Sequence, residues 1–248
     1  MKRIALIIFV ITLTTINSYS QKGFHAGLGG NFSTTWIINQ NSYGSDEYDY
    51  TLKTGGGFGI ITGYNITDHI GFQVEIRTAS GGQSYEDSHS DKIGNTRDYS
   101  LKYTKIPVLF QFIGGSSNVK FYAIAGVQFG FLNKSSISVH NEVPAVYDLT
   151  IDAADRFNKS DMALNFGLGA NITLVPAIYL SVGLGFDYSF SDINNGSSTA
   201  VGTYVDPQGV NQGWHWPDEH GNGIYKASKN ATGGLFIGAH YLIAKGDK

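Results

Sequence analysis

From residue 178 to 190 the even positions are Ile178, Leu180, Val182, Leu184, Phe186, Tyr188 and Phe190, and the odd ones are Tyr179, Ser181, Gly183, Gly185, Asp187 and Ser189. Successive side chains of a β-strand point to opposite faces, so this alternation predicts a strand with one wholly apolar face. Residues 162 to 174 repeat it: Met162, Leu164, Phe166, Leu168, Ala170, Ile172 and Leu174 alternate with Ala163, Asn165, Gly167, Gly169, Asn171 and Thr173. Only Val175, Pro176 and Ala177 separate the two segments, which makes them an antiparallel hairpin.

The same period continues along the chain. Ile70, Phe72, Val74 and Ile76 alternate with Gly71, Gln73, Glu75 and Arg77, giving a strand over 69–79 preceded by one over 56–66. Less regular alternation predicts strands over 22–37, 119–132 and 230–244. The strand over 99–113 is irregular, because Leu101 and Tyr103 share one parity while Ile106, Val108, Phe110 and Phe112 take the other. Pro107 cannot donate to a ladder, so a β-bulge between Thr104 and Pro107 is expected to absorb one residue and restore a single apolar face.

Eight strands result, joined by connections of alternating length. Residues 38–55, 80–98, 133–161 and 191–229 are long, whereas 67–69, 114–118 and 175–177 are short. In an up-and-down barrel every second connection lies on the same rim, so the long ones gather at one end and both termini at the other. The apolar face could look outward to lipid or inward to a core, and the opposite face decides. It carries Gly, Ser, Asn, Thr and Gln with few charges, which suits a crowded interior better than a water-facing wall. Charged residues are only 15% of the chain, beside 32 glycines, 15 phenylalanines and 15 tyrosines, a balance that fits a lipid-facing β-structure. Trp36, Tyr64, Tyr103, Phe131, Phe190 and Tyr241 fall near strand ends, where a bilayer's interfacial girdles would lie.

At the N-terminus Lys2 and Arg3 precede the apolar stretch IALIIFVITLTTI, and Ser18 and Ser20 precede Gln21. This is the pattern of a signal peptide over 1–20, leaving 21–248 as one barrel domain exported to the outer membrane. Without Lys2 and Arg3 the 17 basic residues fall to 15 against 20 acidic ones, a formal charge of −5, so nucleic acid is not an expected partner. The absence of cysteine removes disulfides, thiolate metal sites and cysteine nucleophiles.

The segments YTKIPVLFQF (103–112) and FYAIAGVQFGFL (121–132), followed by MALNFGLGANITL (162–174) and IYLSVGLGFDYSFSDI (178–193), resemble successive strands of the PorT-like outer-membrane β-barrel family. The resemblance spans essentially the whole mature chain and rests on the order of the motifs. It implies an all-β, closed antiparallel up-and-down transmembrane β-barrel of about eight strands in a Gram-negative outer membrane. It also implies a structural, assembly or secretion-associated role, without catalytic residues. The chain departs from the wider outer-membrane pattern at its end, where Leu242 to Lys248 is a polar tail and not a terminal aromatic.

Five ionisable residues fall in the expected lumen: Glu75, Arg77, Lys120, Asp187 and His240. Buried charges must pair, so these are expected to form a polar network filling the interior. In the longest connection Trp214, His215, Trp216, Asp218, Glu219 and His220 lie within seven residues and are the candidates for contact with a partner. The alternatives are tryptophans tucked over the barrel mouth and, more narrowly, metal binding by His215 and His220, whose spacing matches no specific site. GGGFG at 55–59 opens a strand with no following helix, so it is read as easing a bend, not as a phosphate cradle. The rival class is a lipid-modifying outer-membrane enzyme using His, Ser and an acidic residue near the outer rim, for which His25, Ser33, Ser181, Ser189 and His240 are available, but they have no spacing that singles out a nucleophile and base. No enzyme activity, cofactor or metal is expected. The partner classes are outer-membrane lipid, secretion machinery and an extracellular ligand, the last through a surface adhesion or binding role.

Overall fold

The computed structural model describes residues 21–39, 48–87, 95–115, 118–140, 149–195, 202–205, 211–214 and 227–245. Residues 1–20, expected to be a signal peptide, lie outside them. In chain order the strands are β1 (Gly23–Asn39), β2 (Tyr48–Thr51), β3 (Lys53–Asn65), β4 (Ile70–Asp87), β5 (Thr96–Gly114), β6 (Val119–His140), β7 (Leu149–Asp152), β8 (Ser160–Val175), β9 (Ile178–Ser189), β10 (Gly202–Val205), β11 (Asn211–Trp214) and β12 (Ser228–Lys245). The eight long ones, β1, β3, β4, β5, β6, β8, β9 and β12, each pair antiparallel with their neighbours in the chain. Pairing of β1 with β12 from Gly23↔Lys245 to Asn39↔Ser228 closes the ring. A closed ring satisfies every interior ladder group and leaves no edge, which is what a bilayer requires of a β-structure.

The alternation sorts as expected. Outward side chains include Leu28, Phe32, Phe58, Ile60, Phe72, Ile76, Val108, Phe112, Phe121, Val127, Phe166, Leu168, Leu184, Leu235 and Ile237, with Phe58 73% and Phe121 70% exposed. So large an apolar exterior is unfavourable in water and favourable against acyl chains. The polar parity faces inward, where Gln73, Glu75, Gln128, Asn165, Asn171, Ser181, Asp187 and His240 are buried. The glycine-rich start of β3 brings two backbones close together: a Cβ at Gly57 would run into the Thr78 carbonyl of β4. At Gly82 (φ +140°) a Cβ would likewise meet the Tyr99 carbonyl of β5.

Three expectations are corrected. First, no bulge interrupts β5 between Thr104 and Pro107: Pro107 lies opposite Gln128 and the register runs unbroken from Tyr103↔Leu132 to Gly114↔Phe121. The irregularity is on β6, where Lys102 faces Lys134 and Tyr103 faces Leu132, so that Asn133 is the extra residue. Leu101 and Tyr103 lie inward, at 1% and 4% exposure, because the apolar preference inverts along β5 while its backbone stays regular. Above the lipid band the outside is water and the inside is the apolar phase. Second, Tyr103 is therefore a core residue and not part of an interfacial girdle, whereas Tyr64, Phe131, Phe190 and Tyr241 are exposed on the outer wall. Third, strands reach far into the connections 80–98 and 133–161: β4 continues to Asp87, β5 starts at Thr96 and β6 continues to His140, with β2 and β7 added alongside. The short β10 and β11 pair with each other in the longest connection.

Candidate functional site in the barrel lumen

The lumen divides into three tiers. At mid-height, β4, β5, β6, β8 and β9 each place inward side chains in one charged cluster. The Arg77 guanidinium donates to Gln128 Oε1 (2.8 Å) and lies 3.4 Å from Glu75 Oε2 and 3.5 Å from Asp187 Oδ1. Lys105 Nζ meets Asp187 Oδ2 at 2.9 Å, and Asn165 Nδ2 donates to Asp187 Oδ1 at 2.5 Å. Gln73 Nε2 donates to Glu75 Oε1 at 2.8 Å. Two cations face two carboxylates, so the cluster is neutral, and neutral amides bridge the charges. Burial of ions is tolerable only with this degree of pairing.

Of the five residues expected in the lumen, Glu75, Arg77 and Asp187 meet in this cluster. Lys120 and His240 are buried but elsewhere. Lys120 sits opposite Asn171, eight residues along β6 from Gln128, and His240 opposite Tyr179, eight residues along β9 from Asp187; each is about 26 Å of strand away. Lys105 joins the cluster without having been singled out by the sequence, because the bulge expected at Thr104–Pro107 hid its parity. Plain alternation back from Gln111 and Leu109 turns it inward.

The lower tier, near the short turns, holds His25, Tyr179 and His240. The Tyr179 and His240 rings stack at 4.5 Å, and His25 meets His240 edge to face at 5.5 Å. Ser181 Oγ lies 3.0 Å from His240 Nε2 and donates to Asn171 Oδ1 at 2.7 Å. Sequence spacing could not pair Ser181 with His240; strand register does. Ser33 and Ser189 lie elsewhere in the lumen, with Ser189 bonded to Asp161.

The upper tier is apolar. Ile37, Tyr85, Tyr99, Leu101, Tyr103, Ile137, Val139, Ala153, Phe157 and Ile193 form one buried cluster. Phe157 and Ile193 enter it from two different long connections, laced together by Asn158 N–H to Ile193 O (2.8 Å) and Asn195 N–H to Arg156 O (2.9 Å). A cavity of about 30 Å³ between the upper tier and the charged cluster, and one of about 40 Å³ on the cluster's other side beside Tyr122 and Ile124, border Arg77 and Asp187, room for little more than water.

Trp214 closes β11, and His215, Trp216, Asp218, Glu219 and His220 lie outside the described residues. Among the described residues no group of three or more His, Cys, Asp or Glu side chains could hold a metal ion.

A ring of eight tilted strands, lipid-facing outside and polar within, is the architecture of a small outer-membrane barrel, and the family model for the outer membrane protein beta-barrel domain matches residues 17–195. The chain belongs to that family. Among solved structures it is similar to the Ail attachment invasion locus protein of Yersinia pestis, with 13% identity over 89% of this chain and 99% of that one and a TM-score of 0.39. It is also similar to OprG of Pseudomonas aeruginosa (13% identity, 91% and 99% covered, TM-score 0.44). A third is a major outer membrane protein of Thermus thermophilus (16%, 88% and 98%, TM-score 0.48). No curated protein matches the chain.

Proposed function

We propose that this outer-membrane protein is a non-conducting barrel that works through contacts made at its long-connection end, which faces the cell exterior. The observation that carries this reading is the upper tier. The lipid-facing side chains of β5 end near Ile106, yet the strand continues for ten more residues to Thr96, about 33 Å of chain, around an apolar core of its own. A barrel that only had to span lipid would not need a filled extension. A rigid scaffold carrying long connections is the usual design for presenting a contact surface. The charged middle tier and the apolar upper tier fill the lumen with side chains among the described residues, which argues against a general porin.

The resemblance to PorT-like barrels makes secretion machinery the first partner class to test, with an extracellular ligand as the adhesion-type alternative. A catalytic role is not part of the proposal: Ser181 and His240 are enclosed by neighbouring strands, and His240 Nδ1 has no hydrogen-bond partner to orient the ring as a base. Deleting 206–222, which removes Trp214 to His220, tests the proposal. The shortened barrel is expected to fold and insert while secretion or surface binding falls. Unchanged secretion and binding would reject the contact role of that connection, and unchanged zinc content in the purified protein would reject metal binding there.

A further inference from the structure

Just above the lipid-facing band, the outer wall carries a pair of facing lysines. Lys102 on β5 and Lys134 on β6 are both exposed and stand directly opposite each other in the ladder. On the neighbouring β8, Ser160 lies opposite Phe131 and continues the outer wall without charge. Below them the same three strands present Ile106 and Val108, Phe129 and Phe131, and Met162 and Leu164 to lipid. On β3 and β4 the residues in the row that leads to Lys102 and Lys134 are Gly56 and Ser80, without charge.

Two features set this patch apart from ordinary solvated lysines. Like charges directly across a ladder destabilise it unless a counter-charge lies between them, and among the described residues neither lysine has an acidic partner. The outward carboxylate of Asp152, opposite Ser136, is instead turned to the Ala154 amide (2.9 Å). The second feature is the β6 bulge. Leu132 faces inward, so strict alternation would turn Lys134 inward too; the extra residue Asn133 leaves both Asn133 and Lys134 on the outer wall. The bulge thus creates the like-charge pair, at the height where acyl chains give way to headgroups.

We propose that Lys102 and Lys134 form a docking site for phosphorylated glycolipid headgroups of the outer leaflet. The phosphates sit between the lysines and the acyl chains lie on the apolar wall below. This rests on the long connections being external, and does not depend on what the 191–229 connection contacts. The bound phosphate supplies the counter-charge that the ladder lacks.

Folded protein in detergent is titrated with fluorescent diphosphoryl lipid A, with the same lipid dephosphorylated, and with an anionic phospholipid. The wild type is expected to bind the diphosphoryl form at least about tenfold more tightly than either of the others. Each lysine contributes about fivefold at low salt, so K102Q/K134Q should abolish the preference. K134Q alone should lose part of it, and a Δ206–222 protein should keep it. A wild type without the preference, a double variant that folds and retains it, or equal binding of the anionic phospholipid would each overturn the proposal.

Discussion

Asp187 shows how a single residue holds the lumen together. Its two carboxylate oxygens receive Lys105 at 2.9 Å, Asn165 at 2.5 Å and Arg77 at 3.5 Å. Replacing Asp187 by Ala would leave two buried cations facing one carboxylate, and breaking a buried ion pair this way costs about 3–5 kcal/mol. Urea unfolding of the barrel in lipid vesicles should show that loss for Asp187→Ala. The paired change Lys105→Met with Asp187→Leu should recover most of it, since it removes both charges and leaves Glu75 with Arg77. A double variant as unstable as the single one would mean that the charges themselves are needed.

Along single elements the decisive feature is where the apolar face changes sides. In β5 it does so without any backbone irregularity, because the environment outside the strand changes from lipid to water between Ile106 and Leu101. In β6 the same change is accompanied by the extra residue Asn133, after which Ile137 and Val139 point into the upper core, at 0% and 9% exposure. Leu101→Ala, which removes a side chain only 1% exposed, is expected to destabilise the upper tier by about 2–5 kcal/mol. The loss should be local: protease should cut more readily near the ends of β4 and β5 while the lipid-embedded strands keep their protection. Deleting Asn133 restores plain alternation with Leu132 inward and Lys134 outward, so that variant should fold with near-normal stability; failure to insert would show that the bulge is needed for more than facing.

For the whole molecule, three stacked tiers in an eight-stranded ring predict a barrel that stays closed. Pure protein in planar bilayers should pass little steady current, and large stable conductance steps would contradict the side-chain-filled lumen. With an even number of strands both termini fall at the short-turn end, so protease added to intact cells should cut only in the long connections. An accessible tag at the mature N-terminus would reverse the orientation and, with it, the assignment of the lysine patch to the outer leaflet.

The eight strands, their hairpin order and the outward apolar face were legible in sequence because period-two alternation and connection length are local properties. Ile178 to Phe190 needs no partner to declare its two faces. What alternation could not show is where lipid ends, because the meaning of an apolar residue depends on what lies outside the barrel at that height. Leu101 and Tyr103 therefore looked like a register error and are a core, and the extensions of β4 and β6 looked like connections. Proximity across the ring was equally out of reach. Asp187 meets Lys105 across the lumen, a distance that closure of the ring sets, whereas Ser181 meets His240 and Lys102 faces Lys134 through the register of adjacent strands, which the folded sheet sets.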